Sequence, residues 1–176
     1  MMNKLKVVIK HLWLDASDTR RAIPPDMLQR LAQRVAASEQ RHSGQVRICV
    51  EASLPTSYLW RLNRQHPISA LTRQRAVTMF GKLRVWDTEH NNGVLIYLLL
   101  AEHAIEIVAD RGVARHVGPP QWQAMLARMG QAFREKRYED GLTQALEEVS
   151  ALLVQHFPLT AEAGHRNELP DQPLLQ

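Results

Sequence analysis

The sequence has a single cysteine, Cys49, in a chain of 176 residues. One thiol cannot form an intrachain disulfide, and disulfide-stabilised proteins are typical of oxidising compartments. Cys49 lies within an apolar, strand-like run, which favours a packed thiol over a catalytic one. The cysteine content therefore favours a reducing compartment, and we expect the protein to be cytoplasmic.

Long hydrophobic runs are also lacking. The longest, VLIYLLLA from Val94, is far shorter than the roughly 18 apolar residues that a membrane-spanning helix requires. Near the start of the chain an apolar stretch is interrupted by Lys10 and His11 and has no small-residue cleavage site, so a signal peptide is not expected. Any contact with a membrane is therefore expected to be peripheral.

No short motif of known chemistry stands out. We find no phosphate-binding glycine loop and no obvious pair of nucleophile and base, and the eight histidines show no metal-ligand spacing. His90 and His116 are the only histidines near the polar residues discussed below, and we expect both to be ordinary surface residues. Any activity must therefore be inferred from the fold and from the placement of polar residues.

Acidic residues are scarce in two parts of the chain, although the net charge is only +4. The first 47 residues hold nine Lys and Arg against four acids, and six basic residues separate Glu51 from Asp87 with no acid between them. An anionic partner is one explanation. The other is that these residues are solvated flanks, since helical spacing places Arg73 and Arg84 on one side of an apolar stripe and Arg75 and Lys82 on the other. We favour the second explanation and expect no nucleic-acid partner.

The hydrophobic periodicity predicts one α/β domain. Helical patterns cover residues 3–14, the stretch after Pro24-Pro25, residues 69–86, and two segments between Pro119 and Phe157, whereas residues 46–52, 94–100 and 105–110 have strand patterns. We predict helices over residues 1–44 that pack on the domain, an α/β domain over residues 45–158, and a disordered tail over residues 159–176.

The first predicted helix is amphipathic. It places Leu5, Val8, Ile9 and Leu12 on one face and three lysines off that face. Such a helix can lie on an anionic membrane, but one this short binds membranes weakly without another anchor. We therefore expect its apolar face to pack on its own domain.

The order of elements predicts a small mixed sheet sandwiched by helices. A strand-helix-strand unit should form a parallel crossover, and a hairpin should then add an antiparallel strand. A short hairpin loop predicts that Leu95 faces Asp110. Asp110 would thus return to the end of the sheet where Asn91 and Asn92 enter it, whereas Glu51 would lie at the opposite end.

Polar residues of two turns should therefore meet at one end of the sheet. This cluster comprises Thr88, Glu89, Asn91, Asn92, Asp110 and Arg111. Such side chains can build turns by bonding to nearby backbone groups. They can also supply oxygens to a cation, although calcium takes about six to eight oxygen ligands, several of them carboxylate. We expect the turn-building role and keep a weak metal site as the alternative.

The residues around this cluster resemble the TPM domain, a family named for a thylakoid-lumen phosphatase, a photosystem II repair protein and an acetylcholine-receptor auxiliary protein. The resemblance spans residues 45–158 and rests on Arg75-Ala76, Phe80, Asn92-Gly93-Val94-Leu95-Ile96, Glu106-Ile107-Val108, Arg111-Gly112-Val113, Phe133-Arg134, Tyr138 and Gly141. The stretch VWDTEHNNGVLIYLLLAEHAIEIVADRG is similar to a soluble bacterial subgroup that is often encoded beside LemA-type membrane proteins and a membrane-anchored TPM protein.

The resemblance implies a mixed sheet between helices and a role around membrane-protein maintenance. Phosphatase activity or divalent-metal binding is claimed for some family members. Carried over to this chain, it implies that Asp110 holds a metal or acts as a nucleophile while Arg111 or Arg75 neutralises phosphate oxygens. The binding candidates are Thr88, Asn91 and Asn92, and the candidates for holding Ca²⁺ or Mg²⁺ are Asp110, Glu89 and Asn92.

Two functions follow from these observations. The first, which we prefer, is a non-enzymatic interaction or accessory module whose partner is a membrane-associated TPM or LemA-type protein. The alternative is a metal-assisted phosphomonoesterase that acts at the Asp110 cluster.

Overall fold

Three helices precede the first strand. The computed structural model describes residues 4–160 and 166–176, and its chain begins with α1 (Lys4–Trp13), α2 (Ala16–Ala22) and α3 (Pro25–Glu39). The short α2 was not predicted, because its seven residues carry no apolar stripe. Its start is stabilised by a capping box, in which the Asp15 carboxylate accepts from the Ser17 N–H and the Asp18 carboxylate accepts from the Asp15 N–H.

Four strands form one mixed sheet in the order β3-β2-β1-β4. The parallel pair β1 (Gln45–Glu51) and β2 (Gly93–Leu99) forms its centre, and β3 (Ala104–Ala109) runs antiparallel to β2. The short β4 (Leu174–Leu175) adds in parallel to the other side of β1. The predicted class, a small mixed sheet with a parallel pair and an antiparallel hairpin, is confirmed.

Helices cover both faces of this sheet. The helices after β1 are α4 (Thr56–Leu59), α5 (Ile68–Lys82), α6 (Arg111–Ala114), α7 (Pro119–Arg134) and α8 (Tyr138–His156). Residues of α3, α7 and α8 pack with Ile48 and Ile96 on one face, and residues of α5 pack with Cys49, Leu95 and Tyr97 on the other. Every residue of β1 and β2 is therefore buried.

The hairpin register differs from the predicted one by two residues. Leu95 faces Val108 rather than Asp110. The chain leaves β2 through a single 3-10 turn, Leu100–Glu102, and His103 then adopts a left-handed conformation with φ 48°, so that the hairpin reverses one residue earlier than expected. Because a two-residue shift preserves the alternation of side chains, each residue of β3 keeps its predicted face.

α1 docks through residues beside the predicted apolar face, of which only Val8 packs on the core. Its buried residues are Val7 and His11, whereas Leu5, Ile9 and Leu12 are exposed. His11 Nδ1 accepts from the Leu54 N–H at 3.0 Å, and Nε2 lies 3.0 Å from Glu102 Oε1. The expectation that this face packs on the domain was wrong for Leu5, Ile9 and Leu12, because a fully hydrogen-bonded imidazole can be buried where periodicity alone shows only a polar residue.

The C-terminal residues differ most from expectation. We predicted a disordered tail over residues 159–176; residues 161–165 lie outside the described chain, but residues 166–176 follow the edge of β1. Gln45 Oε1 accepts from the N–H groups of Glu168 and Leu169 at 2.8 and 3.1 Å. Arg47 donates to the carbonyls of Pro170, at 2.7 Å, and Gln172. Polar side chains on β1 thus hold residues 166–176 in place by hydrogen bonds. The composition of this segment, which has few apolar residues, did not predict that it would be ordered.

Among residues 4–160 and 166–176, no helix has the length and apolar character needed to cross a bilayer.

Candidate functional site

The turn before β2 is held by Thr88 and Asn91. Thr88 Oγ1 accepts from the Asn92 N–H at 3.1 Å, and the Thr88 carbonyl accepts from the Asn91 N–H at 3.2 Å. Asn91 is left-handed, with φ 52°, a conformation that Asn tolerates better than most residues. Asn91 therefore makes the chain reversal that leads into β2.

Two glycines let the two turns approach their neighbours closely. A Cβ on Gly93 would lie 2.0 Å from the Val85 carbonyl oxygen, and one on Gly112 would lie 2.4 Å from the Asn91 carbonyl oxygen. Neither glycine has a positive φ. Gly112 N–H also donates to the Asn91 carbonyl at 2.9 Å, which ties the second turn to the first. These glycines are required for space rather than for conformational freedom.

Asp110 connects the two turns. Its N–H donates to the Gly93 carbonyl at 2.9 Å, and its buried carboxylate accepts from the Arg111 N–H at 2.6 Å and so caps α6. The Arg111 guanidinium in turn lies 3.4 Å from Asn91 Oδ1. The structure therefore brings Asp110 and Arg111 together with Thr88, Asn91 and Asn92. We call these five residues the turn cluster.

Two oxygens of the turn cluster are buried without a hydrogen-bond partner among the described residues. They are Asp110 Oδ2 and Asn92 Oδ1. Asn92 Nδ2 donates to Ser43 Oγ at 3.3 Å, which orients the amide. A buried polar atom without a partner costs about 1–3 kcal/mol, and such atoms in folded proteins are typically satisfied by ordered water or an ion. These two oxygens are the strongest chemical signal in the cluster.

The oxygen ligands that the turn cluster offers would suit only a weakly bound, largely hydrated cation. Asp110 is its one carboxylate. Glu89 is exposed, and its N–H donates to the Glu168 carboxylate at 3.0 Å. No group of three His, Cys, Asp or Glu side chains within residues 4–160 and 166–176 could hold a metal ion. These residues therefore do not form a calcium site with several carboxylate ligands. Asp110 Oδ2 and Asn92 Oδ1 are the oxygens that a hydrated ion would contact.

Arg75 does not belong to the turn cluster. Its guanidinium binds the Glu51 carboxylate through Nε, 2.9 Å from Oε2, and through Nη2, 2.5 Å from Oε1, while Tyr97 Oη donates to Oε2 at 2.6 Å. Glu51 faces Leu99 at the far end of the parallel pair. Six residue steps along β1 separate the two ends by about 20 Å. Arg75 therefore cannot neutralise a phosphate held at Asp110.

We call the three residues Glu51, Arg75 and Tyr97 the charged trio. Hydrogen bonds to Glu51 raise the pKa of the Arg75 guanidinium, so that it stays protonated. Burial, followed by the Glu51 charge, raises the pKa of Tyr97 well above that of a free phenol. Burial also raises the pKa of the neighbouring Cys49 thiol to about 12, which leaves no thiolate nucleophile at neutral pH. Glu51, an acidic residue within an apolar strand, was the one feature of the sequence that indicated this network.

A second buried acid, Glu39, lies at the turn-cluster end of β1. Its fully buried carboxylate accepts from the Val46 N–H at 2.8 Å and so takes the place of a neighbouring strand. Burial raises the pKa of Glu39 to about 8, and the Asp171 charge adds to the shift. The sequence offered no signal for this role, because Glu39 lies in a helix that ends before the strand it serves.

An open groove of about 520 Å³ runs beside β3. β3 is the edge strand of the sheet, and Arg73 of α5 reaches over this edge to donate to the Ile107 carbonyl at 2.6 Å. The half-buried side chains of Trp122 and Leu126 form part of the opposite wall. The groove therefore combines strand backbone with apolar walls.

Together these features define a class: a small α/β/α domain in which two turns meet at one end of a mixed sheet. The TPM domain family model matches residues 16–152, and the chain belongs to this family. Its structure is similar to the NMR structure of BA42 protein from the psychrophilic bacterium Bizionia argentinensis, with a TM-score of 0.67 and 21% identity over 83% of this chain and 90% of that chain. At this identity the likeness shows the fold alone. A comparison with curated proteins found no match.

Proposed function

We propose that this TPM-domain protein is a non-enzymatic interaction module that binds an extended segment of a partner protein along the edge of β3. The observation that carries the proposal is the groove beside this strand. An extended segment can add to an exposed sheet edge through main-chain hydrogen bonds, while pockets beside the edge select alternate side chains.

The pairing of β3 with β2 identifies the backbone groups that point outward. Because the Asp110 N–H donates to Gly93, every second residue before Asp110 also faces β2. The outward backbone groups therefore belong to Ile105, Ile107 and Ala109. Arg73 already occupies the Ile107 carbonyl. A charged side chain over an edge protects it against unspecific pairing, so that a partner segment must displace Arg73 to bind.

The partner in this proposal is a membrane protein or a membrane-associated TPM or LemA-type protein, and the module works in the cytoplasm. Family membership and the resemblance described above support this part of the proposal. The groove supplies its chemistry: the partner segment carries apolar side chains toward Trp122 and Leu126, and an acidic residue that receives the displaced Arg73 guanidinium.

The test removes one outward N–H group without emptying the core. Ala109→Pro deletes an outward donor while leaving the hydrogen bonds to β2 in place, and Ala109→Val is the matched control that keeps the donor. Each protein is cross-linked in its own cells, and the captured membrane proteins are quantified by mass spectrometry. We expect capture by the wild type and by Ala109→Val, and a loss of about tenfold or more for Ala109→Pro, since 1.4 kcal/mol of lost contact is tenfold.

Two results would contradict the proposal. One is a wild-type protein that captures no membrane protein above background. The other is equal capture by Ala109→Pro and Ala109→Val when circular dichroism shows both to be folded, because the partner would then bind elsewhere.

The second candidate function is a metal-assisted phosphomonoesterase at the turn cluster, which the partnerless oxygens of Asp110 and Asn92 favour. A cation held there would act as a Lewis acid on a phosphoryl oxygen. Asp110 would hold the cation, and the exposed Arg111 guanidinium would neutralise phosphate oxygens.

Metal titration separates this candidate from the interaction module. Ca²⁺, Mg²⁺ and Mn²⁺ are added to the purified protein while the amide resonances of Asn92, Asp110 and Arg111 are followed. Shifts that saturate and that disappear in Asp110→Ala support a cation site. Unmoved resonances at millimolar metal would remove the metal and its chemistry together. Any phosphatase activity that persists in Asp110→Ala belongs to another site or to a contaminant.

A further inference from the structure

α1 presents an apolar surface to solvent. Because the helix docks through Val7 and His11, its opposite face leaves four large side chains exposed. Those side chains are Leu5 at 61%, Ile9 at 45%, Leu12 at 62% and Trp13 at 83% exposure. Contiguous exposed apolar groups of this size mark a surface that contacts a protein or a membrane.

A second segment with an exposed aromatic side chain lies beside α1. Trp60, which follows α4, is 80% exposed, and its carbonyl accepts from Lys4 Nζ at 3.4 Å. Between α1 and residues 62–68 lies an open cavity of about 570 Å³, whose lining includes Val7, Leu62 and Ile68. Residues 60–68 therefore lie beside the N-terminal half of α1, on its Lys4 and Val7 side. We call the exposed side of α1 together with this neighbouring segment the docking face.

The docking face is basic. Residues 4–14 and 54–68 contain no Asp or Glu, and they carry the five basic residues Lys4, Lys6, Lys10, Arg61 and Arg64. Of these, Lys10 pairs with Glu102, whose Oε1 lies 2.7 Å from Lys10 Nζ, so the excess positive charge is carried by Lys4, Lys6, Arg61 and Arg64. The Asp15 and Asp18 carboxylates cap α2. A surface of this composition is complementary to an anionic, partly apolar partner.

We propose that the docking face binds the surface of an anionic lipid bilayer. Exposed tryptophans next to lysines favour the boundary between headgroups and acyl chains, where an amphipathic ring keeps one apolar side and one wet side. A short helix alone binds membranes weakly, but Trp60 provides a second point of insertion beside it. The basic residues supply the attraction to anionic headgroups. This inference does not depend on strand addition at β3.

The experiment measures sedimentation of the full protein with vesicles, together with its tryptophan fluorescence. Phosphatidylcholine vesicles containing about a quarter phosphatidylglycerol are compared with phosphatidylcholine alone. We expect binding to the anionic vesicles, a blue shift as Trp13 and Trp60 leave water, and weaker binding as salt is added. Lys6→Gln should weaken binding about fivefold, whereas Lys82→Gln, an equally simple change on α5, should not.

A matched pair tests the apolar part. Leu12→Glu should reduce binding by about tenfold or more, whereas Val77→Glu, at a residue of similar exposure on α5, should leave it unchanged. Both positions are exposed, so that both variants are expected to fold, and circular dichroism checks this. The proposal is overturned if neither vesicle type binds the wild type or if both Glu variants bind equally. A dimer that Leu12→Glu dissociates, without vesicle binding, would instead assign the face to a second copy of this chain.

Discussion

Polar side chains at the two ends of the sheet differ in how their hydrogen bonds are satisfied. At one end, the charged trio forms a bidentate ion pair with a phenol donating to the same carboxylate. At the other, the turn cluster bonds mainly to backbone, and within the described ranges two of its oxygens have no partner. The difference separates a network that satisfies itself from one with capacity left for a ligand. A strong interaction is therefore not by itself evidence of a functional site.

The charged trio should be the more costly of the two ends to disrupt. Arg75→Met would leave the buried Glu51 carboxylate without its counter-charge, and we expect a loss of about 3–5 kcal/mol in the free energy of unfolding. Urea denaturation measures this loss. The control is Arg73→Met on the same helix, whose half-exposed arginine should contribute less than about 1 kcal/mol. Equal losses in the free energy of unfolding would show that the charged trio contributes no more to stability than a half-exposed arginine does.

At the turn-cluster end, packing should matter more than charge. Gly93→Ala would place a Cβ 2.0 Å from the Val85 carbonyl oxygen, and we expect it to destabilise the protein by about 3 kcal/mol. Gly81→Ala, where a Cβ would meet nothing within 4 Å, should instead stabilise α5 by about 1 kcal/mol. Thermal unfolding of the two variants tests the difference in sign. A neutral Gly93→Ala would show that the backbone at Val85 can move away from the start of β2.

The buried Glu39 should make this end of the sheet sensitive to pH. Its pKa is raised from 4.5 to about 8 in the folded protein, so the folded state holds the proton more tightly than the unfolded chain. The Glu39 contribution to stability is then fully present below pH 4.5 and is lost as the pH rises from about 4.5 to about 8. The slope is at most about 1.4 kcal/mol per pH unit.

Denaturation curves across this pH range measure the Glu39 contribution. Glu39→Gln keeps an acceptor for the Val46 N–H and should flatten the profile, whereas Glu147→Gln on the surface should leave it as in the wild type. A profile that falls equally steeply in Glu39→Gln would assign the pH dependence to another group.

The smallest expected effect distinguishes turn building from metal binding at Asp110. Loss of the α6 cap in Asp110→Ala should cost about 1 kcal/mol, while Asp110→Asn, which keeps a capping oxygen, should be nearly neutral. Calorimetry with and without Ca²⁺ measures both. Stabilisation by Ca²⁺ in the wild type that is lost in Asp110→Asn would show that the turn cluster binds a cation, and the contrast between the two ends would then be one of function as well as of stability.

Much of the fold and part of the turn cluster could be predicted from the sequence. The three main strands and the long helices follow from local periodicity, and the meeting of Asp110 with Asn91 depends only on a hairpin returning to where it began. The exact pairing could not be predicted, because the left-handed conformation of His103 shortens the path of the hairpin. The Glu51–Arg75 contact was equally hidden, since it joins residues 24 positions apart on different elements.

The sequence by itself determined the three main strands, the long helices, their order and the family, because these depend on periodicity and local turn chemistry. Only the tertiary structure decided which face of α1 is buried, how residues 166–176 pair with β1, and where the partnerless oxygens lie. Each of these outcomes depends on hydrogen-bond partners supplied by distant parts of the chain. His11 could be buried only because Leu54 and Glu102 meet it, and this left the apolar face of α1 in water.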